Sequence, residues 1–119
     1  QLISDYELKQ LYNQSKLTII PLLNSYQPSG QSVALQSMCV GTPVLISLTD
    51  GFWDRKNFVD RDNIIFVKEN DIDDWVSLIE EYYYDDIKSK AVSSSASKLI
   101  KTKYKSDFFN KKMKEIIGI

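Results

Sequence analysis

An α/β fold built on a small parallel sheet is predicted by three features of this 119-residue sequence. Three short runs, LTII, VLIS and IIFV, are apolar on both faces, which is typical of buried parallel strands. Segments whose apolar residues recur at helical spacing alternate with these runs. Glycine and proline residues separate the segments, for example Pro21, Gly41 and Pro43. The length and a hydrophobic fraction of 43% fit one domain over residues 1–119.

The first half of the chain predicts a helix, a strand, a loop, a helix and a strand in that order. Ser4 and Glu7 have the spacing of a capping box, which begins a short helix. Residues 17–21 form the first strand, and LLNSYQPSG forms the loop that follows it. A second helix spans residues 32–40, where Gly41 supplies the left-handed residue that ends helices. Residues 44–47 form the second strand.

The second half predicts a long polar connection over residues 48–63 and a third strand over residues 64–67. Asn70 is expected to cap the next helix, whose apolar stripe comprises Trp75, Leu78, Ile79, Tyr82 and Tyr83. Of the three consecutive tyrosines at 82–84, we expect two in the core and one at the surface. Two further helices are predicted, one around residues 87–100 and one from Ser106.

Alternating strands and helices imply right-handed crossovers and a Rossmann-like, three-layer α/β/α arrangement. Three strands are half of a six-stranded nucleotide-binding sheet, so we expect the chain to be the second half of a larger domain. Such a half leaves one sheet edge unpaired. Self-association through that edge is therefore an expected consequence.

Composition disfavours several classes of chemistry. The sequence has no histidine and a single cysteine, Cys39, which lies in the apolar stretch VALQSMCVG. We expect a buried, reduced thiol in a cytoplasmic protein, and neither a zinc site nor histidine acid–base chemistry. No apolar run approaches the ~20 residues that span a bilayer.

The C-terminal part of the chain is locally basic, with nine lysines between Lys88 and Lys114. Two interpretations stay open: peripheral attraction to an anionic membrane surface, and a solvated helix face. Nucleic acid is not an expected partner, because the net charge is −1. In addition, three nearby aromatic residues occupy core-like helical positions, namely Tyr104, Phe108 and Phe109.

The residues that are best placed to bind a ligand follow the first two strands, because open parallel sheets bind ligands at the carboxyl ends of their strands. In SYQPSGQSVALQ, a loop containing Gly30 leads directly into a helix N-terminus, whose N–H groups and dipole can hold a diphosphate. Gln31 and Ser32 would add hydrogen bonds to phosphate, and Gln36 would reach ribose hydroxyls. The alternative is that Gly30 only relieves a tight turn and that the glutamines are solvated. Three residues of the second loop, Trp53, Asp54 and Arg55, border the ligand, face the missing domain, or are ordinary loop residues.

These motifs are similar, in order and spacing, to the core of the group-1 (family 4) retaining glycosyltransferases of the GT-B fold. The family pattern runs through an ELxxLY helix, an apolar strand ending in proline, an EPFG loop, a LEAMACGTPV helix and strand, and a DGENGLLV segment. The matching parts here are ELKQLY at residues 7–12, QPSG at 27–30, LQSMCVGTPV at 35–44 and DRDNIIFV at 60–67.

The resemblance implies that a longer protein transfers a hexosyl group, with retention, from a nucleotide diphosphate donor to a glycan, lipid or other glycoconjugate, as in polysaccharide biosynthesis. This chain would be the donor-binding part, with no metal or other cofactor. Gly30, Gln31 and Ser32 would contact the diphosphate and sugar, Gln36 the ribose, and Gln27 the sugar ring. The catalytic residues are unknown.

The chain departs from the family at the site itself. The family has two glutamates separated by seven residues, whereas Gln27 and Gln36 are amides separated by eight. The family's Arg/Lys pair for the departing diphosphate has no counterpart before Leu17. With that pair and the N-terminal acceptor domain missing, we expect the isolated chain to be inactive. The alternatives are a nucleotide-sugar epimerase of the same fold and a non-enzymatic α/β interaction module.

Overall fold

The computed structural model of the chain describes residues 15–24 and 30–103. Within that part, three strands form one parallel sheet in the order β1-β2-β3, and three helices pack against it. The elements are β1 Thr18–Ile20, α1 Gln31–Cys39, β2 Val44–Ser47, β3 Ile65–Val67, α2 Ile72–Tyr83 and α3 Asp86–Lys103. The predicted α/β class and the small parallel sheet are confirmed. The helices predicted from Ser4 and from Ser106 lie outside the described residues.

The register brings the carboxyl ends of the three strands to one edge of the sheet. Ile20 of β1 is paired with Ile46 of β2, and Ser47 is paired with Val67 of β3. All residues of the central strand β2 are buried, as are all those of β3. Strands covered on both faces read as continuous apolar runs, which explains the VLIS and IIFV patterns.

Helices cover both faces of the sheet. On one face, α1 and the second half of α3 pack on β-strand residues in a cluster that includes Ala34, Leu35, Met38, Val44, Ile46, Phe66, Ala96 and Ile100. On the other face, α2 and the start of α3 pack in a cluster of Leu45, Ile65, Val67, Leu78, Tyr82 and Val92. Helix α3 therefore contributes to both clusters. None of the helices in these described ranges is long and apolar enough to cross a membrane.

The two edges of the sheet differ. Ile19 of β1 is 49% exposed, so the prediction that the first strand is buried on both faces is wrong. At the opposite edge, the backbone N–H of Phe66 donates to Asp60 Oδ1 at 2.8 Å, and Asp60 bridges to Ile64. The chain's own loop thus occupies the outer side of β3. An apolar run cannot indicate whether a strand is central or at an edge, because that depends on the order of strands in the sheet.

The connection from β2 to β3 is more apolar than predicted. Phe52 and Phe58 are buried, although both lie in the segment predicted to be polar. Phe52 stacks on Trp53 with ring centroids 3.9 Å apart and meets Phe66 edge-on at 5.0 Å. No helix occurs within residues 48–64, all of which are described. This aromatic cluster covers part of the sheet in place of a crossover helix.

The helix boundaries bear out some predictions and correct others. Gly41 ends α1 with a φ of +86°, as predicted. The predicted cap of α2 is wrong: Asp71 caps that helix by accepting from the N–H of Asp74 at 2.8 Å, and Asn70 precedes it with a φ of +57°. The expectation of two core tyrosines is also wrong, because Tyr82 alone of the three is buried. Each helical step rotates the side chain by ~100°, so the residues that follow Tyr82 turn towards solvent.

Candidate binding site at the carboxyl edge of the sheet

A cleft opens where the three strands end. Its volume is about 430 Å³, and it lies between the segments that follow β1, β2 and β3. The lining residues are Asn24, Leu48, Thr49, Asp50, Arg55, Lys68, Glu69 and Asn70. All but Leu48 carry a polar side chain. The composition of this carboxyl-edge cleft therefore suits a hydrophilic ligand with several hydrogen-bonding groups.

A set of side-chain hydrogen bonds joins the three strand ends, and we call it the strand-end network. The backbone N–H of Leu22 donates to Ser47 Oγ at 2.8 Å, and the Ser47 hydroxyl donates to Asn70 Oδ1 at 2.7 Å. Asn70 Nδ2 in turn donates to the Leu22 carbonyl at 2.8 Å, and Trp75 Nε1 donates to Asn70 Oδ1 at 2.9 Å. The floor of the cleft is thus cross-linked from β1 to α2.

A second pair fixes the loops after β1 and β2. Asn24 Nδ2 donates to Asp50 Oδ2 at 3.1 Å, and the backbone N–H of Asp50 donates to Asn24 Oδ1 at 3.0 Å. Two reciprocal bonds hold one rim of the cleft and occupy part of the hydrogen-bonding capacity of Asp50.

The cleft contains two cationic and two acidic side chains. Lys68 Nζ lies 3.2 Å from Asp60 Oδ2 and is therefore neutralised by a neighbour. The Arg55 guanidinium lies 5.5 Å from the ring centroid of Phe66 in a cation–π contact. Within residues 15–24 and 30–103, Arg55 forms no ion pair. Arg55 is thus the cation of the cleft that is best placed to meet an added anion.

The N-terminus of α1 lies at the same edge. Gly30 is the N-cap, with a φ of +78°, and no side chain among the described residues caps the helix with a hydrogen bond. Its first turn contains no acidic side chain. A Cβ at position 30 would lie 2.9 Å from Ile20 Cγ2 and 3.7 Å from Leu22 Cδ1, so Gly30 packs directly against the end of β1. Helix N–H groups that lack a cap are an anion-binding feature, and here they lie close to the strand-end network.

The site residues predicted from the sequence divide into three groups. Gly30, Gln31 and Ser32 are brought to the carboxyl edge, and the last two are exposed. Gln36 is 7% exposed inside α1 and does not line the cleft. Gln27 lies outside the described residues. The close fit of Gly30 to β1 also supports the alternative interpretation, in which this glycine serves the turn itself.

Of the second-loop candidates, Arg55 lines the cleft, whereas Trp53 and Asp54 do not. The Trp53 Nε1 atom is buried without a hydrogen-bond acceptor among the described residues. Sequence reasoning missed several lining residues: Asn24, Thr49, Lys68, Glu69 and Asn70. Each follows a predicted strand within four residues, so the position of polar residues directly after apolar runs is the signal that would have found them.

Two other features, Cys39 and a second cavity, are weaker candidates for a functional site. Burial raises the pKa of the Cys39 thiol, which disfavours the nucleophilic thiolate. A smaller cavity of about 160 Å³ lies near the amino ends of the strands, where Lys16 Nζ donates to the Tyr83 carbonyl at 3.3 Å. No cluster of three or more metal-ligating side chains occurs in the part of the chain that the structure describes.

Comparison with known proteins identifies no relative: no protein-family model and no curated protein matches this chain.

Proposed function

We propose that this chain is the nucleotide-sugar-binding part of a retaining glycosyltransferase. The observation that carries the proposal is the position of the α1 N-terminus, which begins at Gly30, at the same sheet edge as a polar cleft of about 430 Å³. Open parallel sheets bind ligands at this edge, and helix N-termini bind phosphate there. The motif order that resembles the group-1 glycosyltransferases supports the choice of ligand, as does the Rossmann-like alternation.

In this proposal the donor diphosphate lies against the first turn of α1. The N–H groups of that turn and the side chains of Gln31 and Ser32 donate to phosphate oxygens. Arg55 adds a positive charge from the loop after β2, whereas the family places its cationic pair earlier in the domain. Two guanidinium nitrogens can bind neighbouring phosphate oxygens together, which an ammonium group cannot do.

The hexose and the ribose would contact polar side chains that line the cleft. Asn24, Thr49 and Asn70 line the cleft, and each of the two amides has a second Nδ2 hydrogen, beyond the bond described above, that can donate to a sugar hydroxyl. Gln36 is 7% exposed, so its ribose contact requires the nucleoside to reach below the first turn of α1. Transfer to an acceptor would take place in a larger protein.

A titration of the whole chain with UDP- and GDP-hexoses, followed by amide NMR, tests the proposal. We expect changes in the amide chemical shifts of residues 30–33 and of residues near Arg55 and Lys68. The variant Gln31→Glu should weaken binding about tenfold, because a carboxylate at the helix N-terminus repels the diphosphate. The same carboxylate should leave folding stability equal or slightly higher, by about 0.3 to 1 kcal/mol, which separates lost binding from lost folding.

Ser94→Glu is the matched control, since it adds the same charge at an exposed position of α3. Its affinity should equal that of the unmodified chain. The proposal fails if no nucleotide-sugar changes the amide chemical shifts of residues 30–33. It also fails if both glutamate variants weaken binding equally.

A further inference from the structure

The helices of this domain differ strongly in charge. Helix α3 contains five lysines and a single carboxylate, Asp86. Helix α1, which shares a cluster with the second half of α3, has no charged side chain. Helix α2 has four carboxylates and no basic residue. The near-zero net charge of the chain therefore conceals one basic helix and one acidic helix.

Three of the α3 lysines form a stripe directed away from the sheet. Val92, Ala96 and Ile100 face the core and are buried. By the helical rotation of ~100° per residue, Lys98 and Lys101 lie on the opposite side, and Lys90 lies beside them at the rim of the cavity of about 160 Å³; all three are exposed. We call these three residues the α3 lysine stripe.

The stripe is not neutralised by the carboxylates that surround it. Among the described residues, none of its lysines forms an ion pair. Glu81 is occupied by Arg61 and Lys88, each at 2.6 Å. Asp62 lies on the flank of α3, where it accepts from the Ser95 hydroxyl at 3.1 Å. With respect to residues 15–24 and 30–103, the three lysines are thus available to an external anionic surface.

Exposed apolar side chains lie at the start of the stripe. Ile87 is 84% exposed and lies on the outward side of α3, in line with the lysines. Tyr84, directly before the helix, is 79% exposed. The apolar face of α3 itself is buried in the core, so Ile87 and Tyr84 are the apolar groups that this surface offers to the headgroup region of a bilayer, beside lysines that attract anionic headgroups. A nucleic-acid backbone would engage the lysines but would leave Ile87 in water.

We propose that the α3 lysine stripe, together with Ile87, docks this domain onto an anionic lipid surface. Each lysine near such a surface contributes about a fivefold increase in binding. Burial of Ile87 among the acyl chains would add about tenfold. The electrostatic part should weaken with added salt, because exposed charges are screened. The proposal is independent of the nucleotide-sugar site at the carboxyl edge.

Sedimentation of the chain with lipid vesicles provides the test. We expect binding to vesicles of phosphatidylcholine mixed with phosphatidylglycerol and much weaker binding to phosphatidylcholine alone. The paired variant Lys98→Gln with Lys101→Gln should lower the partition coefficient by roughly 25-fold. Ile87→Ser should lower it about tenfold and leave the salt dependence unchanged. Circular dichroism would verify that each variant is folded.

The matched control is the pair Lys56→Gln with Ser77→Glu, which lowers the net charge by the same amount at exposed positions away from α3. This pair should bind the mixed vesicles as the unmodified chain does. If both double variants lost the same amount of vesicle binding, the effect would come from net charge and not from a docking surface, and the proposal would be overturned. Equal binding to neutral vesicles would also overturn it, as would tighter binding to duplex nucleic acid than to the mixed vesicles at the same salt.

Discussion

Gly30 meets two separate requirements, one of backbone conformation and one of packing. Its φ is +78°, and an added Cβ would lie 2.9 Å from Ile20 Cγ2 and 3.4 Å from Ile46 Cδ1. We predict that Gly30→Ala destabilises the chain by about 2 to 4 kcal/mol, through left-handed strain and overpacking together. Urea denaturation followed by circular dichroism would measure the loss.

Gly41 offers a control that separates the two causes. Its φ of +86° is similar, but a Cβ there would meet nothing within 4 Å. Gly41→Ala should therefore cost only the conformational strain, about 1 kcal/mol. Equal losses for the two variants would show that contact with β1 adds nothing at position 30.

At the scale of elements, Glu81 connects α2 to two other parts of the chain. Its carboxylate accepts from Arg61 in the loop before β3 and from Lys88 in α3. The hydrogen bond from Arg61, followed by the one from Lys88, holds the pKa of Glu81 below its usual value. A carboxylate whose pKa is depressed by folding stabilises the native state above the unfolded pKa.

We predict that this stabilisation is complete near pH 7 and is lost as the pH falls below the ordinary glutamate pKa of about 4.3. The contribution should be a few tenths of a kcal/mol to about 1 kcal/mol, because the side chains of Arg61 and Lys88 are 51% and 49% exposed and their charges are screened by solvent. Urea midpoints measured from neutral to acidic pH would show a smaller acid sensitivity in Glu81→Gln.

The neighbouring Glu80 serves as control, since it is exposed and forms no ion pair with a described residue. Glu80→Gln should retain the full acid sensitivity. A pH profile of Glu81→Gln that is identical to that of Glu80→Gln would contradict the assigned role.

At the scale of the whole molecule, Asn70 unites the ends of distant segments. Its side chain bonds Leu22 after β1, Ser47 of β2 and Trp75 of α2. We predict that Asn70→Gly destabilises the chain by about 2 to 3 kcal/mol, because the buried Ser47 hydroxyl loses its acceptor. Urea denaturation measures the loss, and the fluorescence of Trp75 reports on its environment.

Comparison with Asn70→Ala separates the side chain from the backbone. The φ of Asn70 is +57°, which glycine adopts freely and alanine does not. Alanine should therefore be less stable than glycine by a further ~1 kcal/mol. A glycine variant as stable as the unmodified chain would show that the network contributes no net stability.

Local patterns account for the elements and their order. Buried apolar runs predicted three strands, helical spacing predicted the helices between and after them, and Gly41 predicted the end of α1. These signals succeed because strand and helix periods, like left-handed glycines, depend on residues close in the chain. For the same reason, the helix N-terminus at Gly30 was identified as a candidate anion site.

Long-range packing decided the rest. Spacing along the chain does not show which strand lies at an edge, so the exposure of Ile19 was not predicted. Nor does it show that Phe52 and Phe58 fold onto the sheet, or that Asn70 bonds Leu22 across 48 positions of sequence. The cleft is lined by side chains from three separate segments. Their proximity follows from parallel pairing and register, which arise from contacts between distant parts of the chain.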